Sequence, residues 1–146
     1  MRVNESVGLI TGGASGLGRG VAEMLVGAGG RAVILDRPES DGMAVASTLG
    51  ERASFIGCDI TDPAGVEAAV AAAADVFGRI DVLVSSAGIS PAARVVSRDG
   101  APFPLDLFRR GIDVNLVGLF DVLRHTAAVM TRNEPSEEGE RGLIVN

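Results

Sequence analysis

The sequence contains neither tyrosine nor lysine, and all 13 of its basic residues are arginine. A mechanism that needs a tyrosinate or an ammonium side chain is therefore excluded within these 146 residues, because no other side chain supplies a phenol or a primary amine. Aromatic residues make up only 3% of the chain. Alanine, valine, leucine and isoleucine must therefore supply the core, and one folded domain fits this length.

Several other features are absent. Cys58 is the only cysteine, which excludes an intramolecular disulfide and a zinc site built on paired thiols. No apolar run reaches the roughly 18 residues of a membrane span, and the polar residues 1–6 are too short for a signal peptide. The net charge of −6 includes no long run of like charge, which argues against nucleic-acid binding. We expect a soluble, cytoplasmic protein without a nucleic-acid or membrane partner.

Short apolar segments alternate with segments of helical period, the pattern of parallel βαβ units. Strands are predicted over residues 7–10, 31–36, 54–57, 80–85 and 143–145. Helices are predicted over residues 17–28, 40–49, 63–77 and 105–130, and residues 91–104 are predicted to be a loop. Because the strands are apolar throughout, both faces of the sheet should be covered. The predicted fold class is therefore α/β, a doubly wound (Rossmann-type) parallel sheet with helices on both faces.

The whole chain, 1–146, is interpreted as one dinucleotide-binding domain. Its last predicted strand is followed only by Asn146, whereas a parallel strand is normally covered by a crossover helix. We therefore expect a sheet that is incomplete at its C-terminal end, and interpret Asn146 as a cut.

The segment Thr-Gly-Gly-Ala-Ser-Gly-Leu-Gly, residues 11–18, carries the strongest indication of function. It lies between the first predicted strand and helix, where free N–H groups and the helix dipole favour a phosphate. Gly12 permits the turn, Gly16 a close approach to a pyrophosphate, and Gly18 helix–strand packing. A glycine-rich turn without a ligand is the alternative, but the strand–turn–helix context favours phosphate binding. The predicted pyrophosphate residues are Gly12, Ser15, Gly16, Leu17 and Gly18.

Asp36 ends the second predicted strand, 18 residues after Gly18. A carboxylate there accepts hydrogen bonds from the ribose hydroxyls and repels a 2′-phosphate, so NAD is the predicted cofactor. A strand-end turn residue is the alternative, since Asp precedes Pro38 by two positions. Arg37 complicates the prediction, because its guanidinium could pair with the 2′-phosphate of NADP.

The spacing G-x-x-x-G-x-G, with Thr11 in front, resembles that of the short-chain dehydrogenase/reductase family. Cys58-Asp59-Ile60 is similar to the family's adenine-contacting pair of Asp and an aliphatic residue, which implies adenine contacts for Asp59 and Ile60. Ser85-Ser86-Ala87-Gly88 lies where the family has Asn-Asn-Ala-Gly, which implies that Ser86, Ala87 and Gly88 lie near the nicotinamide ribose. Asn115, within Asp-Val-Asn-Leu-Val-Gly, resembles the family's helix Asn and implies a catalytic part in its proton relay.

A narrower resemblance points to the type II 3-hydroxyacyl-CoA dehydrogenase branch. It rests on residues 11–18, the long insertion 91–104, residues 113–118, and Arg132-Asn133-Glu134-Pro135 leading to Arg141-Gly142. The branch implies oxidation of a 3-hydroxyacyl-CoA with NAD, or of another secondary alcohol to its ketone. It also implies a homo-oligomer, typically a tetramer, and the apolar helix 105–130 is a suitable interface.

The sequence departs from the family in two ways. Ser85 and Ser86 replace the usual Asn pair, which puts the family's sheet-bracing role in doubt. The family's catalytic Ser and Tyr-x-x-x-Lys are also missing, so that Asn115 alone remains of its catalytic set. An NADPH-dependent 3-oxoacyl reductase and a non-catalytic NAD-binding module are therefore alternatives.

Three further features are interpreted as structural. His125 is the only imidazole; with no carboxylate or second ligand expected nearby, packing is favoured over catalysis. Cys58 is interpreted as a small buried residue, and Glu137, Glu138 and Glu140 as a solvated turn. No metal site is predicted.

Overall fold

The structure, a computed structural model, describes residues 2–146. Its strands are β1 (Val7–Thr11), β2 (Arg31–Asp36), β3 (Ala53–Gly57), β4 (Val82–Ser85) and β5 (Leu143–Val145). They form one parallel sheet in the order β3-β2-β1-β4-β5. The chain thus starts at the centre, proceeds to one edge, and returns to build the other half. This order is that of a doubly wound sheet and confirms the predicted fold class.

Five α-helices connect or cover the strands. They are α1 (Gly16–Gly27), α2 (Gly42–Leu49), α3 (Pro63–Phe77), α4 (Leu105–Ile112) and α5 (Leu119–Met130). Two short 3₁₀ turns occupy Val3–Glu5 and Gly50–Arg52. The predicted and observed boundaries of the helices and strands differ by one or two residues at several ends. Helix and strand ends fray, so their last residues are only partly hydrogen-bonded.

The side chains of the central strands alternate between the two faces of the sheet and form a separate hydrophobic core on each face. Successive strand residues point to opposite faces, so Leu9 and Ile10 of β1 enter different clusters although both are fully buried. Ile10 packs in a cluster with residues of α1 and α2. Leu9 packs in a cluster with residues of α3 and α5. Each fully buried Leu or Ile contributes on the order of 1.5–3 kcal/mol, which is why the sheet requires helices on both faces.

The structure is helical over residues 105–130, as predicted, but the helix changes type within that range. A π-helical segment, Asp113–Gly118, separates α4 from α5. Gly118 lies so close to Ile60 that an added Cβ would be 2.7 Å from the Ile60 carbonyl oxygen. Hydrophobic periodicity does not reveal the wider turn, because Val114, Leu116 and Val117 continue the apolar positions of the flanking helices.

The expectation that no carboxylate lies near His125 is also wrong. Asp121 precedes it by one helical turn of α5, and its Oδ1 lies 3.7 Å from His125 Nε2. Asp121 is buried and accepts a hydrogen bond from Arg124 Nε at 2.5 Å. Both side chains are on α5, and neither lines the cleft described below.

Asp81 holds the amino-terminal edge of the sheet together. Its buried carboxylate accepts a hydrogen bond from Val7 N through Oδ2 at 2.9 Å. Its Oδ1 accepts two from the Arg79 guanidinium, at 2.8 and 2.5 Å. The backbone of Asp81 adds a bond to Val7 O and receives one from Leu143 N. One residue thereby links the start of β1 to the start of β5.

We predict that Asp81→Ala lowers the free energy of unfolding by about 2–3 kcal/mol, because the Val7 N–H loses its acceptor and charge-assisted bonds are lost. Urea unfolding followed by circular dichroism measures this. Asp75→Ala, an exposed position of α3, is the matched control and should change stability by less than about 0.5 kcal/mol. Equal effects of the two substitutions would contradict the assigned role of Asp81.

Candidate functional site

A cleft of about 820 Å³ lies at the carboxyl ends of β1 to β4. At this edge the chain that follows β1 turns toward one face of the sheet, and the chain that follows β4 turns toward the other. Loops that diverge in this way leave a crevice, and doubly wound folds bind ligands there. It is larger than two other pockets on the surface, which have volumes of about 380 and 510 Å³.

All of the residues predicted to bind the cofactor line this one cleft. They are Gly12, Ser15, Gly16, Leu17, Gly18, Asp36, Asp59, Ile60, Ser86, Ala87 and Gly88. Four separate segments of the sequence contribute them, so the sheet topology brings together residues that local pattern had identified singly. Their roles toward a cofactor remain predictions. Arg37, Glu39, Arg110 and Asp113 also line the cleft and were not among the predicted binding residues.

The glycine turn requires positive φ angles and close contacts between backbone segments. Gly12 and Gly16 have φ values of +66° and +52°, which side-chain-bearing residues rarely adopt. A Cβ on Gly18 would lie 2.4 Å from the Gly12 carbonyl oxygen, whereas a Cβ on Gly16 would meet nothing within 4 Å. Gly18 therefore serves packing, and Gly16 leaves space in the cleft. No side chain caps α1 at Ser15, so its first-turn N–H groups are not occupied by a capping oxygen.

Thr11 joins the two strands that flank the cleft. Its buried Oγ1 accepts hydrogen bonds from Ser86 N and Ala87 N, each at 3.1 Å. The neighbouring Gly12 N donates to Leu35 O at 2.9 Å. These bonds fix the glycine turn relative to β2 and to the segment after β4. Sequence reasoning placed Thr11 within the motif but missed this bracing function, because its partners are 75 and 76 residues away.

Asp36 is held in a fixed position at the end of β2. Its Oδ2 accepts a hydrogen bond from Ala14 N in the glycine turn at 3.0 Å, and its Oδ1 accepts one from Arg37 N at 2.8 Å. The side chain remains half-buried. Because a carboxylate oxygen has more than one lone pair, both oxygens can still accept from a ligand hydroxyl. The charge therefore lies beside the glycine turn with little freedom to move.

Asp59 follows β3 on the same rim. Its Oδ1 accepts hydrogen bonds from Thr61 N at 2.9 Å and Thr61 Oγ1 at 2.7 Å. These bonds, with smaller contributions from the positive charges of Arg37 and Arg110, hold the pKa of Asp59 below its ordinary value. The carboxylate is consequently ionised at neutral pH. Ile60 beside it is buried and offers an apolar wall.

Asn115 connects the π-helical segment to the loop after β4. Its Oδ1 accepts a hydrogen bond from Ile89 N at 2.9 Å, and its Nδ2 donates one to Ile89 O at 2.8 Å. A Cβ on Gly88 would lie 3.3 Å from Asn115 Oδ1. Asn115 thus positions the segment containing Gly88; its predicted part in proton transfer remains a prediction. The buried Ser85 Oγ has no hydrogen-bond partner among the described residues, so it braces nothing there.

The cleft walls supply binding groups but few groups suited to moving a proton near neutral pH. The lining contains no histidine, and the chain has no tyrosine or lysine to offer. Cys58 lines the cleft but is 6% exposed. Burial, followed by the negative charges of Asp59, Asp62 and Asp121, raises its pKa to about 11. Across residues 2–146, no group of His, Cys, Asp and Glu could hold a metal ion, and no helix is long and apolar enough to cross a bilayer.

We predict opposite effects for two glycine substitutions in α1. Gly18→Ala should lower the free energy of unfolding by about 1–3 kcal/mol, because the new methyl group overlaps the Gly12 backbone. Gly20→Ala, where a Cβ meets nothing within 4 Å, should raise it by about 0.5–1 kcal/mol through helix propensity. Denaturant titration measures both. A Gly18→Ala variant as stable as Gly20→Ala would show that the close approach is absent.

We also predict that Cys58 is nearly inert in the folded protein. At pH 8 a thiol with a pKa of about 11 is ionised in only about one molecule in a thousand. Iodoacetamide labelling should therefore be slow in the native state and rise as pH increases toward 11. In concentrated urea, where the pKa returns to its ordinary value, labelling should be fast. Native and unfolded rates that are equal at pH 8 would contradict this.

Comparison with known proteins agrees with this geometry. The family model of the short chain dehydrogenase matches residues 6–146. The chain is 47% identical to the 3-hydroxyacyl-CoA dehydrogenase type-2 of Bos taurus over 141 residues, which are 96% of this chain and 54% of that protein. It is 41% identical to the protein of that name from Drosophila melanogaster over 145 residues, covering 99% of this chain and 57% of that protein.

A solved structure is similar as well. The crystal structure of 3-hydroxyacyl-CoA dehydrogenase type-2 from Mycobacterium avium matches with a TM-score of 0.84 and 38% identity. The match covers 95% of this chain and 54% of that one. The chain therefore spans about half the length of the relatives it matches. The resemblance inferred from the motifs is confirmed: this chain belongs to the short-chain dehydrogenase family.

Proposed function

We propose that this chain provides the NAD-binding part of an oxidoreductase that transfers hydride between NAD and a secondary alcohol or ketone. The observation that carries the proposal is the placement of Asp36. Its carboxylate is fixed at the rim of the cleft by Ala14 N, a member of the glycine turn itself. The glycine turn would bind a phosphate and Asp36 would bind a ribose. These two binding groups are already linked to each other by the hydrogen bond from Ala14 N to Asp36.

The residues present fit a dinucleotide. The absence of a side chain at Gly16 leaves the turn open, since a Cβ there would meet nothing within 4 Å, while Gly12 and Gly18 allow the close backbone packing that shapes the turn. The amino terminus of α1 supplies N–H groups and a positive dipole end. Asp36 would accept ribose hydroxyls, and Asp59 with Ile60 would contact the adenine. Ser86, Ala87 and Gly88 would flank the nicotinamide ribose, on a segment held by Thr11 and Asn115.

When bound, the nicotinamide supplies the hydride chemistry, and the chain's own residues bind and orient it. Proton exchange with the substrate oxygen needs an acid or base with a pKa near the working pH. Asn115 alone cannot serve, because an amide does not titrate in this range. We therefore propose that these 146 residues by themselves bind NAD without turning substrate over.

For the whole protein, the substrate that we propose is a 3-hydroxyacyl-CoA, supported by the relatives of that name. We also propose a cytoplasmic homo-oligomer, with a tetramer as the favoured state. An apolar face along α4 and α5 supports an interface, since several large apolar side chains are exposed there: Leu105, Phe108, Ile112, Leu116, Val117 and Phe120. Exposed apolar patches of this kind are typical of subunit contacts.

An NADPH-dependent 3-oxoacyl reductase is the second candidate, and Arg37 is the observation that favours it. Its guanidinium lines the cleft directly beside Asp36. Asp36 opposes this candidate, because its fixed carboxylate would face the 2′-phosphate at close range. A non-catalytic NAD-binding module would share the binding properties of the chain and would differ only in having no activity as a whole protein.

We predict that Asp36→Ala weakens NAD binding about tenfold to a hundredfold, as the loss of hydrogen bonds to a charged group implies. NADP binding should become tighter, because a repelling charge is removed. Isothermal titration calorimetry with each dinucleotide measures both. The matched control is Asp75→Ala, which removes the same charge from an exposed position outside the cleft. An unchanged preference in Asp36→Ala would contradict the role of Asp36.

A further inference from the structure

Arg37 poses a problem for an NAD site, since a free guanidinium next to the ribose would attract the 2′-phosphate of NADP. The structure places a second side chain against it. Arg37 Nη1 lies 3.1 Å from Glu39 Oε1, and both side chains line the cleft. Sequence reasoning identified Arg37 as a complication and did not consider Glu39.

A rigid turn brings these two side chains together. Ser40 N donates to Arg37 O at 3.0 Å, which closes a four-residue turn with Pro38 at its second position. Proline fixes φ there. The turn also packs against β3, because a Cβ on Gly57 would lie 3.1 Å from Pro38 Cα. The turn therefore fixes the backbone positions of Arg37 and Glu39 relative to each other, at a separation from which their side chains pair.

The charged residues that line the cleft are four carboxylates and two guanidinium groups, and this excess of negative charge favours a neutral ribose hydroxyl over a 2′-phosphate. Arg37 is attracted to Glu39 and also contributes to the electrostatic field at Asp59. Its positive charge is thus shared between two carboxylates, with Asp36 adjacent. An added 2′-phosphate would meet this acidic group with no unpaired guanidinium at Arg37 to receive it.

We propose that Glu39 determines cofactor specificity, by pairing with the Arg37 guanidinium and so keeping it from a 2′-phosphate. Glu39 is a positioning residue in this scheme, since it acts through the Arg37 guanidinium with which it pairs. The inference rests on the proposed function, namely that the cleft binds a dinucleotide. It identifies a residue, separate from Asp36, that determines the preference for NAD over NADP.

The test measures dissociation constants for NAD and NADP by calorimetry in the wild-type chain and in Glu39→Gln, Arg37→Gln and the double variant. Glu39→Gln should reduce the ratio of the NADP to the NAD dissociation constant about fivefold to tenfold, mainly through tighter NADP binding. In the Arg37→Gln background, the same substitution should change the ratio less than about twofold, because no guanidinium is released.

Salt dependence and a control distinguish this mechanism from a structural effect. Both side chains are more than half exposed, at 61% and 65%, so the effect of Glu39→Gln should shrink as ionic strength rises. Glu51→Gln removes the same charge outside the cleft and should leave the ratio unchanged. Loss of NAD binding in Glu39→Gln would overturn the inference, because it would mark a structural role.

The two proposals fail differently. A wild-type chain that binds neither dinucleotide would overturn the proposed function itself. A wild-type chain that prefers NAD, with an unchanged ratio in Glu39→Gln, would overturn the role of Glu39 alone. Equal effects of Glu39→Gln with and without Arg37 would also overturn it, since the pairing would then be irrelevant.

Discussion

The turn between β1 and α1 has no room for a side chain at Gly12, which packs against the backbone of Ser86 and Ala87, or at Gly18, which packs against the backbone of Gly12. This close approach determines the position of every other part of the cleft. It seats the first turn of α1 over β1 and lets Thr11 accept hydrogen bonds from the segment after β4. It also brings Ala14 N within reach of Asp36. The glycine turn, the Asp36 carboxylate and the segment after β4 are therefore one connected assembly.

Much of this arrangement could be predicted from the sequence, because its signals are local. The glycine spacing, the acidic residue that ends β2 and the alternation of apolar segments each act within a few residues of chain. Parallel pairing then brings strand ends together without further information. For this reason the strand pattern was predicted within one or two residues, and residues predicted from four separate segments all line one cleft.

What could not be predicted depends on distant partners or on geometry that leaves no compositional trace. Thr11 braces backbone 75 residues away, and no local pattern reveals such a contact. The π-helical segment mixes apolar and polar residues as the flanking helices do, so its composition does not reveal the change in its turn. Asp121 lies one turn before His125, and Glu39 two residues after Arg37; both carboxylates were visible in the sequence. Their significance became apparent only when the structure gave the distances.

We propose that the carboxyl edge of this sheet binds NAD. The most direct measurement is amide chemical-shift mapping of the isotope-labelled chain during titration with NAD. We expect shifts at Gly16, Asp36, Asp59 and Gly88, which line the cleft, and none at Arg79, which lies at the opposite edge. Shifts confined to that opposite edge, or none at millimolar NAD, would contradict the account.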